Sequence, residues 1–379
     1  MTLNPLICSV FGPLGEPMFQ LPYTTAQWSD TINESGSLQI GIQYSQNTLK
    51  IPKGLYDALK MWGAIIAVHR TDPTSGDEEV KHAGPLIDYD YDAIQRKLSL
   101  TCGGGWSLMT IRLALSHDLD PTWTDGTLLI DEDHGAGAWT MLLNGTYSDI
   151  SRKLVNEAMK WGALPITLPE LQENGNHQLQ LNGFDLTPVS DRLADITALA
   201  DGPEIRFDPR ITESGYLTFD LRVMSEIIDH QWLEGGTPGA WDSSVPGQRV
   251  RLVKVTGKGE NMANQVYVAG GKSGDKTIIC RKSSDPSPVL LQVADKTRTT
   301  VTDLNILRSA AVSDIAYGSH PDETMSIEVG EEYHVMPGDI ADLRVDDDFM
   351  GEKLLHLKIT DVSGDSSKDL LTVQARSRG

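Results

Sequence analysis

The sequence predicts a mainly β protein: two related antiparallel β-barrels with an α+β insertion, the second barrel being split by a helical excursion. Three observations support this fold class. The chain of 379 residues contains 35 glycines and 19 prolines, a composition typical of many turns between short strands. Apolar and polar residues alternate near both ends of the chain, and a pattern of three strands occurs twice.

The first barrel is predicted over residues 1–105. A strand over residues 23–30 leads into the turn NESG at residues 33–36, and a period-two alternation follows over residues 38–43. This is the pattern of a half-buried hairpin. The sequence then predicts a short helix and three strands, over residues 54–60, 63–70, 80–88 and 97–102. Three glycines at residues 103–105 end the pattern.

Residues 106–249 are predicted to form the α/β insertion. Two amphipathic helices are indicated. The first covers residues 148–161 with Ser148 as its N-cap, and the second has Thr187 as its N-cap and Pro188 in its first turn. A hairpin and a loop rich in glycine, proline and serine complete the insertion, over residues 204–211, 216–223 and 234–247.

The second barrel is predicted over residues 250–281 and 321–379. Residues 282–320 are predicted to leave it as a helical excursion that packs against the insertion, with a helix over residues 302–317 beginning at the N-cap Thr302. The strands of this barrel are predicted over residues 251–255, 265–268, 339–345, 355–362 and 370–375.

The ends of the two predicted barrels resemble each other. Residues 63–72 (GAIIAVHRTD) match residues 338–347 (GDIADLRVDD), since a glycine opens each segment and an acidic residue closes it. The next two strands also match in order, residues 85–90 and 97–101 with residues 356–361 and 369–373. We interpret this as two copies of one barrel; the alternative is that any two three-stranded meanders share such a likeness.

The charge of the chain is strongly negative. It has 53 Asp and Glu against 32 Lys and Arg, for a formal net charge of −21. Binding of nucleic acid through its phosphates needs a basic surface. The composition therefore argues against a nucleic-acid-binding protein, although not against a chain that nucleic acid passes without binding.

The cysteines and the hydropathy of the sequence indicate in which cellular compartment the protein is made. Cys8, Cys102 and Cys280 show no CxxC spacing, which argues against zinc and is typical of a protein made in a reducing cytosol. Cys102 ends an alternating strand and is predicted to be a core residue. No segment approaches the roughly 20 apolar residues that span a bilayer, and the first 15 residues lack the features of a signal peptide.

Three short motifs suggest ligands but fit other interpretations better. Residues 271–273 (GKS) resemble the end of a phosphate-binding loop, but Val266 stands where that loop needs glycine, so a hairpin turn is expected. Asp88, Asp90 and Asp92 have the spacing of calcium-loop ligands, yet the glycine and glutamate of that loop are absent. They are therefore interpreted as the solvent side of a strand. Residues 131–134 (DEDH) are expected to form a solvated loop, with a metal site as the alternative.

No catalytic signature is found. Neither HExxH nor GxSxG occurs, while a carboxylate pair for glycoside cleavage stays open because such residues converge only in three dimensions. The tryptophans are interpreted as core and interface residues, with a sugar-stacking site as the alternative; they are Trp28, Trp62, Trp106, Trp123, Trp139, Trp161, Trp232 and Trp241. The sequence therefore predicts no catalytic, cofactor-binding or metal-binding residues.

Four segments, in this order, carry a resemblance to a known family: residues 26–38 (AQWSDTINESGSL), residues 65–70 leading into 83–86 (AGPL), residues 263–270 (ANQVYVAG) and residues 337–339 (PGD). Together they resemble the tail-hub proteins of long-tailed phages, especially the minor tail proteins of actinobacterial siphophages. The resemblance implies two similar barrels per subunit, and three subunits that place six barrels around a channel.

What the resemblance implies about function is a structural tail hub. A trimeric ring would match the six-fold tail tube to the three-fold tip and let DNA pass, with the acidic residues 346–348 as candidates for the channel lining. The expected partners are the distal tail ring, the tape measure and tip fibre proteins, in a virion tail tip made in the host cytoplasm. The chain ends after the second barrel, without the C-terminal extension of wall-cleaving relatives, so no enzyme activity is expected. The alternatives are a tail-tip glycosidase or peptidase and a carbohydrate-binding receptor module.

Overall fold

The computed structural model describes residues 4–44, 54–71, 76, 78–122, 139–172, 175–199, 201–273, 276–284, 289–299, 301–319 and 321–378. Within them the chain is mainly β, as the sequence predicted. One 14-stranded sheet contains most of the strands, and one two-stranded and two three-stranded sheets contain the rest.

The first part of the chain forms seven strands and one helical turn: β1 (Ile7–Phe11), β2 (Pro17–Gln20), β3 (Thr25–Thr31), β4 (Ser37–Gln43), α1 (Leu55–Ala58), β5 (Ile65–Thr71), β6 (Glu78–Asp92) and β7 (Lys97–Gly103). The elements from β3 to β7 were predicted. β1 and β2 were not predicted. β1 is buried along most of its length and so lacks the alternation of a half-buried strand, and β2 has only four residues, most of them exposed.

β5 is covered by apolar residues on both faces. Ile66 and Val68 lie in the core that fills the 14-stranded sheet, whereas Ile65 and Ala67 lie in the core of the following segment. Burial on both faces explains the continuous apolar run in this part of the sequence.

The middle of the chain mixes short strands and helices: α2 (Ser107–Thr110), β8 (Thr140–Gly145), α3 (Tyr147–Lys160), β9 (Ile166–Thr167), β10 (His177–Asn182), α4 (Val189–Thr197), β11 (Glu204–Ile211), β12 (Leu217–Met224), β13 (Gln231–Trp232) and β14 (Trp241–Asp242). Two 3₁₀ turns lie at His117–Thr122 and Gly183–Asp185. The helices α3 and α4 pack on the β11–β12 hairpin around a second core, to which β5 also contributes.

The predicted N-caps of the two helices are wrong by one or two residues. Ser148 lies inside α3, and the N-cap is Thr146, whose hydroxyl accepts a hydrogen bond from the Asp149 amide (3.0 Å) while the Asp149 carboxylate accepts one from the Thr146 amide (3.2 Å). This reciprocal pair satisfies two free amides of the first turn. In α4 the N-cap is Pro188 rather than Thr187, since Pro188 still has extended backbone (ψ 148°).

The last part of the chain contains β15 (Val250–Lys258), β16 (Gln265–Ser273), β17 (Lys276–Ser283), β18 (Gln292–Asp295), α5 (Leu304–Gly318), β19 (Asp322–Gly330), β20 (Ile340–Asp347), β21 (Gly351–Asp365) and β22 (Leu370–Ser377). A 3₁₀ turn at Glu331–Tyr333 follows β19.

β16, β17 and β18 form a sheet of their own and do not join the 14-stranded sheet. The sequence had placed residues 265–281 in the second barrel. They pack instead against α5, where Val266 and Val268 share a small core with Leu307 and Ala310. Because this core is separate, the excursion includes β16 and β17 and begins before residue 282, where the sequence had placed its start.

The strand order of the first part recurs in the last part. The antiparallel order β3-β4-β7-β6-β5 corresponds to β15-β19-β22-β21-β20. β6 and β21 are both 15 residues long, and each has a bulge, between Leu86 and Asp88 and between Ile359 and Asp361. Leu86 therefore corresponds to Ile359, and the sequence match of residue 85 with residue 356 is wrong by two positions.

Strand pairing among the described residues closes neither set into a barrel. β5 continues outward to β1 and β2, and β20 is flanked by the two-residue strands β13 and β14. The buried apolar residues of both sets form one contiguous core, from Cys8 to Ala375. The two sets are therefore halves of one packed unit.

Candidate functional site

The two strand sets meet along a short ladder between β3 and β21. The first half of β21 pairs with β20, and beyond its bulge the same edge pairs antiparallel with β3. Gln27 lies opposite Asp365, and the Gln27 side-chain amide donates to the Asp365 carboxylate at 2.8 Å. The Ala26 amide donates to the Ser366 hydroxyl at 2.9 Å. This ladder makes the two sets one continuous sheet.

One aromatic side chain seals the ladder. Trp28 is 6% exposed and lies opposite Gly364. A Cβ at position 364 would come within 2.2 Å of the Trp28 ring. The indole therefore fills the space of the missing side chain, and only glycine permits this approach.

A buried ion cluster forms a second contact between the halves. The Arg70 guanidinium on β5 donates to Glu331 (2.5 and 3.2 Å) and to Glu79 (2.8 Å). The Lys81 ammonium lies 2.6 Å from the Glu79 carboxylate and 3.1 Å from that of Glu331. Arg70 is 2% exposed and Glu331 6%, so both charges depend on this cluster for their partners.

The cluster lowers the pKa of the Glu79 carboxyl. Burial acts to raise this pKa, but the hydrogen bond from His334, the charge and hydrogen bond of Lys81 and the hydrogen bond from Arg70 outweigh it. Glu79 therefore stays ionised in the folded protein at pH values where it would bind a proton in the unfolded chain.

We expect the protein to lose stability in acid partly through Glu79. A carboxyl whose pKa is lowered by folding stabilises the fold above its ordinary pKa near 4.3, and this stabilisation is lost as the pH falls through the folded value. Glu79→Gln should be less stable at pH 7 but lose less stability between pH 5 and pH 2, measured by thermal unfolding. Glu213→Gln, on an exposed turn, should follow the parent curve, and parallel curves for Glu79→Gln and the parent would contradict this role.

A second buried arginine fixes the insertion to the start of the repeated strands. The Arg206 guanidinium on β11 is bonded to the carboxylate of Asp208, to that of Asp229 at 2.6 Å and to the Pro337 carbonyl at 2.5 Å. Burial opposes the charge of Arg206, but the two carboxylates outweigh it and raise its pKa. The cluster thereby locks the segment that leads into β20.

The tryptophans described by the structure are mostly core residues. Trp232 and Trp241 contact each other with ring centroids 4.9 Å apart and ring planes tilted by 39°. Both are buried, as are Trp28 and Trp106. Buried rings offer no face for a sugar, which favours the packing interpretation for these four. Trp123 lies outside the described residues.

The predicted ligand motifs do not converge in the structure. Residues 271–273 form the end of β16, paired with β17. Asp88, Asp90 and Asp92 lie along β6, with Asp88 and Asp90 exposed, and Asp92 accepts from the amides of the following turn. The acidic cluster at residues 131–134 lies outside the described residues. Within the described ranges no group of three or more His, Cys, Asp or Glu is placed to hold a metal ion.

Two cysteines lie in the core of the protein. Cys102 is buried, as predicted, and burial raises the pKa of the neighbouring core thiol of Cys8 to about 12. No helix in the described part of the chain is long and apolar enough to cross a membrane.

One cavity lies beside β6, and a cleft lies between the insertion and the excursion. An apolar cavity of about 310 Å³ lies beside the exposed end of β6, lined by Tyr44, Leu55, Tyr56, Leu59, Tyr89, Tyr91 and Leu98. A cleft of about 250 Å³ separates α4 from the start of α5, with Asp195, Arg298 and Asp303 in its walls. The excursion thus faces the insertion across this cleft.

The fold is similar to those of two tail proteins of known structure. The chain is similar to the 43 kDa tail protein of prophage MuSo2 from Shewanella oneidensis, with a TM-score of 0.56, 10% identity, and 99% of this chain and 98% of that one covered. It is also similar to a tail protein from Neisseria meningitidis MC58, with a TM-score of 0.52, 12% identity and the same coverage. No protein-family model and no curated protein matches the sequence.

At identities this low the likeness establishes the fold alone. The fold agrees with the class of protein that the sequence motifs resembled. The comparisons give no support to an actinobacterial origin, since these two tail proteins come from other bacteria.

The sequence did not predict the residues that join the halves. Trp28 and Gly364, like Arg70 and Glu331, are hundreds of residues apart in the chain. The available signal was the internal repeat, because a duplicated strand order requires a junction between its copies.

Proposed function

We propose that the chain is a structural hub of a phage tail tip, three copies of which form a ring. The observation that carries this proposal is the recurrence of one five-strand order within a single chain, joined by the β3–β21 ladder. A subunit with two equivalent halves fills two positions of a pseudo-six-fold ring. Three subunits would then match a six-fold tube on one side and a three-fold tip on the other.

The ring modules of this proposal follow the predicted domains. Residues 1–105 form one module, and residues 250–258 with 321–379 form the other. The insertion over residues 106–249 and the excursion, extended to include β16 and β17, lie outside the ring. Closure of each module into a barrel would be completed by neighbouring modules, because open strand edges otherwise invite uncontrolled pairing.

The acidic charge fits a ring through which DNA passes. With a net charge of −21 per chain, acidic residues at the channel would repel phosphates and leave no binding well that stalls the genome. Of the candidate lining residues, Asp347 accepts from the amides of Phe349 and Met350 and so shapes the β20–β21 turn. The proposed role is non-enzymatic, with the distal tail ring, the tape measure and tip fibres as neighbours in the virion.

Cryo-electron microscopy of tails from a phage or prophage that carries this gene tests the proposal. We expect three copies per tail, at the tip, around a continuous channel. One copy or six copies, or a location away from the tip, would contradict it. A cell-wall zymogram of the same purified chain should show no clearing; clearing would favour a wall-cleaving enzyme instead.

A further inference from the structure

Along its second half, β6 pairs with β7 on one edge, and on the other edge it pairs with no strand that the structure describes. In β21 the edge that binds β20 along its first half binds β3 beyond the bulge. In β6 the corresponding edge binds β5 up to the bulge, but beyond it, over residues 88–92, no described strand continues the pairing. The repeat thus leaves one half of the molecule without the partner that the other half has.

In the strand order of the second half, β15 takes the place that β3 has in the first half. β3 lies between β4 and β21, whereas β15 pairs only with β19 among the strands that the structure describes. Its exposed residues include Lys254 and Lys258. On this side a cleft of about 380 Å³ separates β15 from the β20–β21 turn, with Val255, Val345 and Phe349 in its walls.

We propose that residues 88–92 of one subunit pair antiparallel with residues 254–258 of the next copy, a contact that rests on the trimeric hub proposed above. The register follows from the internal ladder. Val255 on β15 corresponds to Trp28 on β3, because Val255 lies opposite Met325 as Trp28 lies opposite Leu38. Tyr91 on β6 corresponds to Gly364 on β21, the residue that lies opposite Trp28. Transferring the β3–β21 pairs onto β15 and β6 gives Asp88–Lys258, Tyr89–Gly257, Asp90–Thr256, Tyr91–Val255 and Asp92–Lys254.

The transferred register brings opposite charges together. Both lysines of this stretch of β15 would lie opposite aspartates of β6. The pair Asp92–Lys254 between subunits would correspond to the pair Asp365–Gln27 within the subunit, which is hydrogen-bonded at 2.8 Å. Directly opposed unlike charges stabilise a strand pair, whereas like charges destabilise it. A shift by one residue would put Tyr side chains on the charged face.

The same register pairs a large side chain with a small one on the apolar face, both within the subunit and between subunits. Inside the subunit the large Trp28 covers Gly364; between subunits the small Val255 would meet the large Tyr91. Tyr89 and Tyr91 are 37% and 44% exposed and line the 310 Å³ cavity. The neighbouring strand would cover these rings and close the open end of the core.

Each copy carries one β6 edge and one β15 edge, so the contact is heterologous and repeats around a closed ring. Internal β3–β21 ladders and intersubunit β6–β15 ladders would alternate. This arrangement leaves no free strand edge at these positions.

Cysteine cross-linking in assembled tails tests the register. In a Cys280→Ser background, Asp90→Cys with Thr256→Cys places two thiols at directly opposed positions, about 4.5–5.5 Å apart between Cα atoms and within disulfide reach. Oxidation should give covalent species of two and three chains and none larger. Asp88→Cys with Lys254→Cys, displaced by four residues or about 13 Å, should give none, and Ser29→Cys with Ser363→Cys, opposed within one chain, should close without adding a second chain.

Charge exchange provides an independent measurement on the full chain. Asp88→Lys with Asp92→Lys should weaken self-association about tenfold or more, as should Lys254→Asp with Lys258→Asp, because each change opposes like charges. The four changes together restore both the pairs and the net charge, and should recover most of the association. A chain present in three copies at the tip without the Asp90–Thr256 cross-link would overturn this pairing and leave the hub intact. Absence of a three-copy ring would overturn both.

Discussion

Replacing Arg70 by methionine should lower the free energy of unfolding by about 3–5 kcal/mol. The change leaves the Glu331 carboxylate with Lys81 and the Glu79 carboxylate with Lys81 and His334. Glu331 is 6% exposed, so water cannot replace the lost partner, and the cost is that of a buried unpaired charge. Denaturant unfolding followed by tryptophan fluorescence measures the effect.

A double-mutant cycle separates this charge effect from lost packing. Arg70→Met with Glu331→Gln removes one charge of each sign and leaves Lys81 with Glu79, so the pair should cost less than the sum of the two single changes, by about 0.5–3 kcal/mol. Arg210 and Asp220 form a matched surface pair, with the Arg210 side chain 51% exposed. Arg210→Met should cost no more than about 1 kcal/mol. Equal losses for Arg70→Met and Arg210→Met would show that the buried cluster does not hold the halves together.

The elements that the sequence predicted well are those with local signals. The hairpin β11–β12 was predicted within one residue at each end, because both strands alternate and the turn between them is rich in polar residues and glycine. Of the meander that follows α1, β7 was predicted from its alternation and β5 from a continuous apolar run. The spatial order of the strands was not predicted, since the sequence repeat indicated only that one three-strand pattern occurs twice.

The elements that the sequence missed depend on distant partners. β8 and β10 form a ladder in which Leu143 lies opposite Leu179, and neither strand is followed by its partner in the chain. β16 alternates like a barrel strand, but α5 rather than the large sheet covers its apolar face. Alternation shows that one face of a strand is buried and does not identify what buries it.

The candidate site was the least predictable part. Sequence motifs can indicate ligands and nucleophiles, whereas the junction consists of a tryptophan, a glycine and a cluster of charged residues that form no motif. Among the described strands, the edges of β6 and β15 that lack a partner become visible only when the two halves are compared strand by strand. Asp88, Asp90 and Asp92 were correctly interpreted as the solvent side of a strand, but the sequence did not indicate the β15 residues proposed above as their partners.

The sequence indicated the three glycines at residues 103–105 only as a break in the pattern, yet Gly103 is a close packing partner of Gly84. A Cβ at position 84 would lie 1.6 Å from the carbonyl oxygen and 2.4 Å from the carbonyl carbon of Gly103. Both contacts are with backbone, and β6 is held in register on both of its edges, with Gly84 opposite Ile66 of β5 and Leu86 opposite Cys102 of β7. No side-chain rotation can relieve such a clash.

Gly84→Ala should therefore be among the most damaging single changes in the chain, with a loss of about 4–5 kcal/mol or more and a fall in soluble yield. The methyl group can be accommodated only if β6 separates from β7, and this would also displace the bulge that positions residues 88–92. Gly239→Ala is the matched control, because its Cβ would meet only the Gly236 carbonyl oxygen at 3.5 Å; it should stay within about 0.5 kcal/mol of the parent. Thermal and denaturant unfolding of the two variants measures the difference, and a Gly84→Ala protein as stable as Gly239→Ala would mean that β6 and β7 do not cross as closely as described.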